Sequence, residues 1–223
     1  MGKFIELKAA DAHKFAAFVA TPAGKPRGGV VVIPEIFGVN SHIQQTTDGF
    51  AADGYLAVSP AMFDRAQRNY DTGYSQPEIQ AGVAIMQKLD PKNSMMDVQA
   101  AIAEAAKGGK VGIVGYCFGG TIAWMAAARA SGLACSVPYY GGGMHGLIGE
   151  KPKVPVMCNF GETDQSPTLA QAQEIVAAHP GISAHFYAGA GHGFNCDQRG
   201  SWNADAAKLA RSRTIEFFRK HLG

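Results

Sequence analysis

The 223-residue chain has no long apolar segment, no block of like charge and no paired-cysteine motif, and each absence removes a class of function. The β-branched run at 30–33 is closed by Pro34-Glu35, far short of the roughly 20 residues that span a bilayer. Residues 1–8 have neither the apolar stretch nor the small-residue cleavage pattern of a signal peptide. The expected location is cytoplasmic, with no membrane partner. Lysine and arginine total 20 against 18 acidic residues, a formal charge of +2. No basic cluster is interleaved with aromatics, which argues against a nucleic-acid partner. The four cysteines, Cys117, Cys135, Cys158 and Cys196, are scattered, with no Cys-x-x-Cys and no zinc-ligand spacing. In a reducing compartment they stay thiols, and at least one is free for chemistry.

What is present is the composition of a folded enzyme-sized domain. Hydrophobic residues make up 47% and charged residues 17%, which excludes disorder. The length suits one α/β domain over 1–223. Strands are predicted near 4–8, 15–20, 29–34, 55–58, 111–115, 136–140, 154–160 and 184–187. Helices are predicted at 43–53, 77–89, 94–107, 121–130, 167–178 and 203–221, with Ser94 and Ser166 as N-caps and Pro167 at the first helical position. The alternation predicts a mostly parallel sheet covered on both faces. Chemistry in such sheets gathers beyond the carboxyl ends of the strands. Glu35, Cys117, Asp164 and His192 all follow predicted strands.

Gly115-Tyr116-Cys117-Phe118-Gly119-Gly120 joins a predicted buried strand to a predicted helix. This is the setting of a nucleophile elbow, G-x-S-x-G, with cysteine in place of serine. Two other glycine-rich readings fail on spacing. G-x-G-x-x-G is absent because Cys117 stands two after Gly115, and no Gly-Lys-Ser/Thr follows. The helix start beside Cys117 offers partial positive charge, which favours an anion there. A nucleophile needs a base, and the base needs a partner that fixes its tautomer. Among seven histidines, His192 stands out in the small-residue loop Gly189-Ala190-Gly191-His192-Gly193 after the last strand. Asp164 follows the strand before it, with Glu162 as a competing carboxylate. The order nucleophile, acid, histidine is that of the α/β-hydrolase triad.

The elbow, Pro34-Glu35-Ile36-Phe37-Gly38, Tyr139-Tyr140-Gly141 and Gly191-His192-Gly193-Phe194 together resemble the dienelactone hydrolase family. The resemblance implies an α/β-hydrolase fold without a large lid domain, and no metal or organic cofactor. The implied substrate is a small ester or lactone, and the implied assembly a monomer or small homo-oligomer. By the same resemblance Cys117, Asp164 and His192 form the triad. Glu35 lies beside the cysteine, where a carboxylate would hold back the thiolate until substrate displaced it. Backbone N–H groups of Ile36 and Phe118 make the oxyanion hole. Family members that act on dienelactone carry an arginine four residues after the histidine, where this chain has Cys196. Arg199 is the nearest replacement for gripping an anion, ahead of Arg65 and Arg68. Phe37, Tyr139, Tyr140, Phe194 and Trp202 are expected to line an apolar pocket. Two readings outside acyl transfer remain open at this point: a thiol-based redox protein and a non-catalytic small-molecule binder on the same fold.

Overall fold

The structure, a computed structural model, describes residues 2–223. Eight strands form one sheet: β1 (Lys3–Lys8), β2 (Lys14–Ala20), β3 (Gly29–Ile33), β4 (Leu56–Pro60), β5 (Val111–Tyr116), β6 (Leu133–Tyr139), β7 (Met157–Gly161) and β8 (Ser183–Tyr187). Their spatial order is β1-β2-β4-β3-β5-β6-β7-β8. The β1–β2 and β2–β4 pairs are antiparallel, and every later pair is parallel. Six α-helices cover the sheet: α1 (Ser41–Ala52), α2 (Gln76–Met86), α3 (Pro91–Ala105), α4 (Phe118–Arg129), α5 (Leu169–Ala178) and α6 (Ala204–Leu222). This is a mostly parallel α/β-hydrolase arrangement with no large extra domain. Among the described residues no helix is long and apolar enough to cross a membrane.

Strand β3 shows why the central sequence runs are continuously apolar. Val30 and Val32 pack with Phe50 of α1 and Phe218 of α6. Val31 and Ile33 point the other way, toward Val98 of α3 and Ile122 of α4. A period of two therefore feeds two cores, and neither set of positions tolerates a polar residue. Each of these fully buried side chains contributes about 1.5–3 kcal/mol relative to exposure.

Two helix starts differ from expectation for local reasons. The cap of α3 is Asp90, whose carboxylate accepts from Asn93 N at 2.9 Å, with Pro91 next to it. Ser94 is instead buried within that helix. Helix α5 starts at Thr168, which forms a capping box with Gln171. Ser166 is held back in the preceding loop because its N–H donates to Asp164 at 2.7 Å. Helix α4 begins at Phe118, directly after Cys117, rather than at 121.

Candidate active site

Cys117 lies between β5 and α4, as the N-cap of the helix, with φ 55° and ψ −115°, a strained conformation for a side-chain-bearing residue. The sequence permits it through the neighbouring glycines. A Cβ on Gly115 would lie 1.9 Å from the carbonyl oxygen of Gly119, and one on Gly119 would lie 2.3 Å from that of Ile33. Close backbone packing around the elbow is what these glycines supply. The Cys117 N–H donates to the Tyr139 carbonyl at 3.1 Å, tying the elbow to β6.

His192 reaches the same place from the loop after β8. Its Nδ1 lies 3.0 and 3.2 Å from the two carboxylate oxygens of Asp164. Asp164 is buried and also accepts the Ser166 N–H. With Nδ1 committed to Asp164, Nε2 is the ring atom left for the thiol. Burial opposes a charge on the imidazole. The charge of Cys117, the hydrogen bonds to Asp164 and Cys117, and the Asp164 charge outweigh it and push His192 up to about 10. Glu162, the competing carboxylate, is exposed.

Cys117, His192 and Asp164 line one cavity of about 420 Å³. Ile36 and Phe118 line it too, and among the described residues neither backbone N–H has a hydrogen-bond partner within the chain. Phe37 and Arg199 complete the set of expected residues that border it. Helix α2 adds Ile79, Val83 and Met86, and α4 adds Thr121. Sequence reading missed this wall. Its signal is the apolar i, i+4, i+7 spacing of 79, 83 and 86, which equally describes an ordinary core stripe.

Four expected lining residues do not reach the cavity, three of them because they are buried core. Tyr139, Tyr140 and Phe194 are at most 1% exposed. Their rings pack against one another at 5.3–6.2 Å, and the Tyr139 hydroxyl bonds Thr214 at 2.6 Å. These three rings, tilted or edge-on to one another behind the strand ends, form a core that supports the site, and Tyr140 touches His192 only edge-on at 5.3 Å. Trp202 is half exposed and borders a different cavity. Arg65 is fully engaged with Asp11 and Asp97, and Arg68 is exposed.

Glu35 is 1% exposed, and Arg199 Nη1 donates to its Oε1 at 2.9 Å. Among the described residues Arg199 is its one hydrogen-bonding partner, and Oε2 has none. The hydrogen bond of Glu35 thus goes to arginine. The Arg199 guanidinium also lies over the rings of Phe37 and Tyr74. Its charge feels Glu35 and then Cys117, which together raise its proton affinity against the opposing effect of burial.

A second cysteine, histidine and aspartate also come together. His42, Cys196 and Asp197 place one donor atom each within 4.8 Å of one another, the one such group among the described residues that could share a metal ion. The Cys196 thiol is pushed up to about 11, first by burial and then by the charge of Glu35. His42 Nδ1 meets Asp197 at 3.1 Å, and Ser41 donates to Gln198 at 3.0 Å. These contacts fasten the segment following His192 to the start of α1.

The dienelactone hydrolase family model matches residues 15–222. The chain is 35% identical to a candidate carboxymethylenebutenolidase of Azospirillum brasilense, covering 98% of this chain and 99% of that one. It is 32% identical to a carboxymethylenebutenolidase of Pseudomonas putida, covering 96% and 94%. The crystal structure of a candidate dienelactone hydrolase from Klebsiella pneumoniae superposes with a TM-score of 0.82 at 24% identity, covering 97% and 98%. The protein is therefore a hydrolase of the dienelactone hydrolase family.

Proposed function

We propose that the chain hydrolyses small esters or lactones through a covalent acyl-enzyme on Cys117, with His192 as acid and base and Asp164 as its partner. The observation that carries this reading is the strained Cys117 opening onto the same cavity as an imidazole held by a buried carboxylate. The thiol proton passes to His192 Nε2, whose value of about 10 favours holding it, and Sγ then attacks the substrate carbonyl. Charge on the carbonyl oxygen is stabilised by the N–H groups of Ile36 and Phe118. As the C–O bond breaks, His192 returns its proton to the leaving oxygen. Water then attacks the thioester, gives a proton to His192, and the Cys117 sulfur departs and is reprotonated.

Glu35 enters this scheme through Arg199. The pair keeps a positive charge near Cys117 and balances it with a buried carboxylate. Breaking a buried pair from one side costs about 3–5 kcal/mol, which makes Arg199 a poor standing site for a substrate anion.

The test is acid-quench mass spectrometry during turnover of an aryl ester. The expected result is a mass increase equal to the acyl group, localised to the peptide containing Cys117 and absent in Cys117→Ala. Turnover with no adduct and full activity in Cys117→Ala would overturn the proposal.

A further inference from the structure

We infer that α2 is the acyl-binding element of this site, that it selects uncharged apolar acyl groups, and that Gly82 sets the position of the oxyanion-hole segment beneath it. The inference rests on the acyl-enzyme reading above.

One face of α2 presents Ile79, Val83 and Met86 to the cavity that holds Cys117. All three are half buried and pack against the core cluster that contains Ile36 and Phe37. The polar groups of the cavity lie elsewhere: the triad, Thr121, and Gln165 with Ser166. A substrate carbonyl placed between Cys117 and the N–H groups of Ile36 and Phe118 must send one substituent toward the triad side. The other faces α2. Leaving-group protonation belongs to His192, so the acyl substituent is the one that lies against Ile79, Val83 and Met86.

The charge of that substituent follows from Arg199. Besides His192, it is the one cationic side chain among the described residues that border the cavity, and its guanidinium is bound by Glu35 and covered by two aromatic rings. A carboxylate on the acyl group would have to draw Arg199 away and leave Glu35, already short of a partner at Oε2, with none at either oxygen. An apolar acyl group asks for no such exchange.

Gly82 lies on the same face, three residues after Ile79 and four before Met86. A Cβ there would stand 2.6 Å from the carbonyl oxygen of Ile36 and 3.3 Å from its Cβ. The helix thus rests directly on the residue whose N–H is the proposed oxyanion donor. Its amino end is fixed by Glu78, which hydrogen bonds from Ser75, Thr72 and Gly73 push down to about 2. With that end anchored, a methyl group at 82 must displace the Ile36 peptide. Gly82 is a positioning residue, and its presence lets one helix hold the acyl chain and set the oxyanion geometry together.

The experiment measures kcat and KM for p-nitrophenyl acetate, butyrate, hexanoate and hemisuccinate in the wild type, Gly82→Ala and Val83→Ser, with Cys117→Ala as blank. Wild-type kcat/KM is expected to rise by about three- to fourfold per buried CH₂ until the wall is covered. The hemisuccinate is expected to be at least about tenfold poorer than butyrate, the loss of a charge-satisfying contact. Val83→Ser flattens the chain-length series. Gly82→Ala lowers kcat on every ester by about tenfold or more, with KM changed much less, because oxyanion donors act on the transition state. Helix propensity sharpens this arm. Alanine favours an isolated helix over glycine, so a kcat loss with undiminished thermal stability points to the displaced peptide. A flat series, a preferred hemisuccinate or unchanged kcat in Gly82→Ala overturns the inference. Hydrolysis by the Cys117→Ala blank would instead overturn the acyl-enzyme reading on which it stands.

Discussion

The described residues hold two groupings of cysteine, histidine and aspartate, and the two differ in how the backbone presents them. Cys117 sits at a strand end with φ 55°, opens on a cavity, and shares that cavity with His192 and Asp164. Cys196 is fully buried in a loop, and its histidine partner meets an exposed aspartate. Residue types are the same in both. What differs is backbone presentation, access and where the buried charge lies: the carboxylate is buried beside His192 and solvated beside His42. A buried carboxylate can fix a tautomer and stabilise an imidazolium, whereas a solvated one mostly contributes a surface contact.

The comparison is broken most directly at the two thiols. Cys117→Ala is expected to lower kcat/KM on aryl esters by about four orders of magnitude or more, since a nucleophile and its base act as one unit. Cys196→Ala should keep kcat within about threefold and lose only some packing stability. Steady-state kinetics on both variants decides the matter. If Cys196→Ala is the inactive one, the assignment of the two groupings is reversed.

The two carboxylates of the site loop come next. Asp164→Asn should lower kcat by about 10²- to 10⁴-fold, because amide and imidazole then compete for the wrong tautomer. Glu162→Gln should be silent, since Glu162 is exposed and it is Asp164 that His192 contacts. A silent Asp164→Asn paired with an impaired Glu162→Gln would move the acid to the other residue.

A smaller effect is read in the titration of His192. Its folded value of about 10 lies above the ordinary 6.5. The stabilisation it brings is therefore fully present below pH 6.5 and is lost as the pH rises through about 10. Because the charge of Cys117 leads the effects that raise it, Cys117→Ala should bring the His192 titration down from about 10 toward neutrality. The alkaline loss of stability should then begin at lower pH than in the wild type. NMR of labelled imidazole in both proteins measures this. An unchanged titration would mean that Asp164 alone holds the proton.

How much of this was legible in sequence follows distance along the chain. All eight strands and all six helices were visible, because their signals are local: β-branched runs between turns, and apolar residues at helical spacing. The elbow was legible from glycines two residues either side of Cys117, and the meeting of His192 with Asp164 from each following a strand. The Glu35–Arg199 pair joins residues 164 apart, and no local pattern announces it. Tyr139, Tyr140 and Phe194 were misplaced into the pocket for a related reason. Strand-end aromatics beside a site look the same in sequence whether they face ligand or core. Here alternation along β6 sends Tyr139 inward toward Thr214, and the following rings pack on it.

The smallest expected effect tests the second grouping on its own terms. His42 is 7% exposed at its side chain and Asp197 54%. A contact with one solvated partner contributes about 0–1 kcal/mol. Asp197→Asn should therefore lower the thermal midpoint by less than about 4 °C, the shift that 1 kcal/mol produces in a chain of this size. The Ser41–Gln198 hydrogen bond still ties the loop to α1 in that variant, so His192 should stay in register with Asp164 and kcat should hold within about twofold. The double variant Asp197→Asn with Ser41→Ala removes both ties and serves as the sharper arm. If the loop depends on them, KM and kcat change together in the double variant while the His192–Asp164 hydrogen bond weakens in imidazole NMR. If both variants retain wild-type kinetics, the remaining contacts, His192–Asp164 and Arg199–Glu35 among them, hold the loop, and the second grouping is only a surface contact. If Asp197→Asn alone costs activity on the scale of Asp164→Asn, the distinction between a buried and a solvated carboxylate fails.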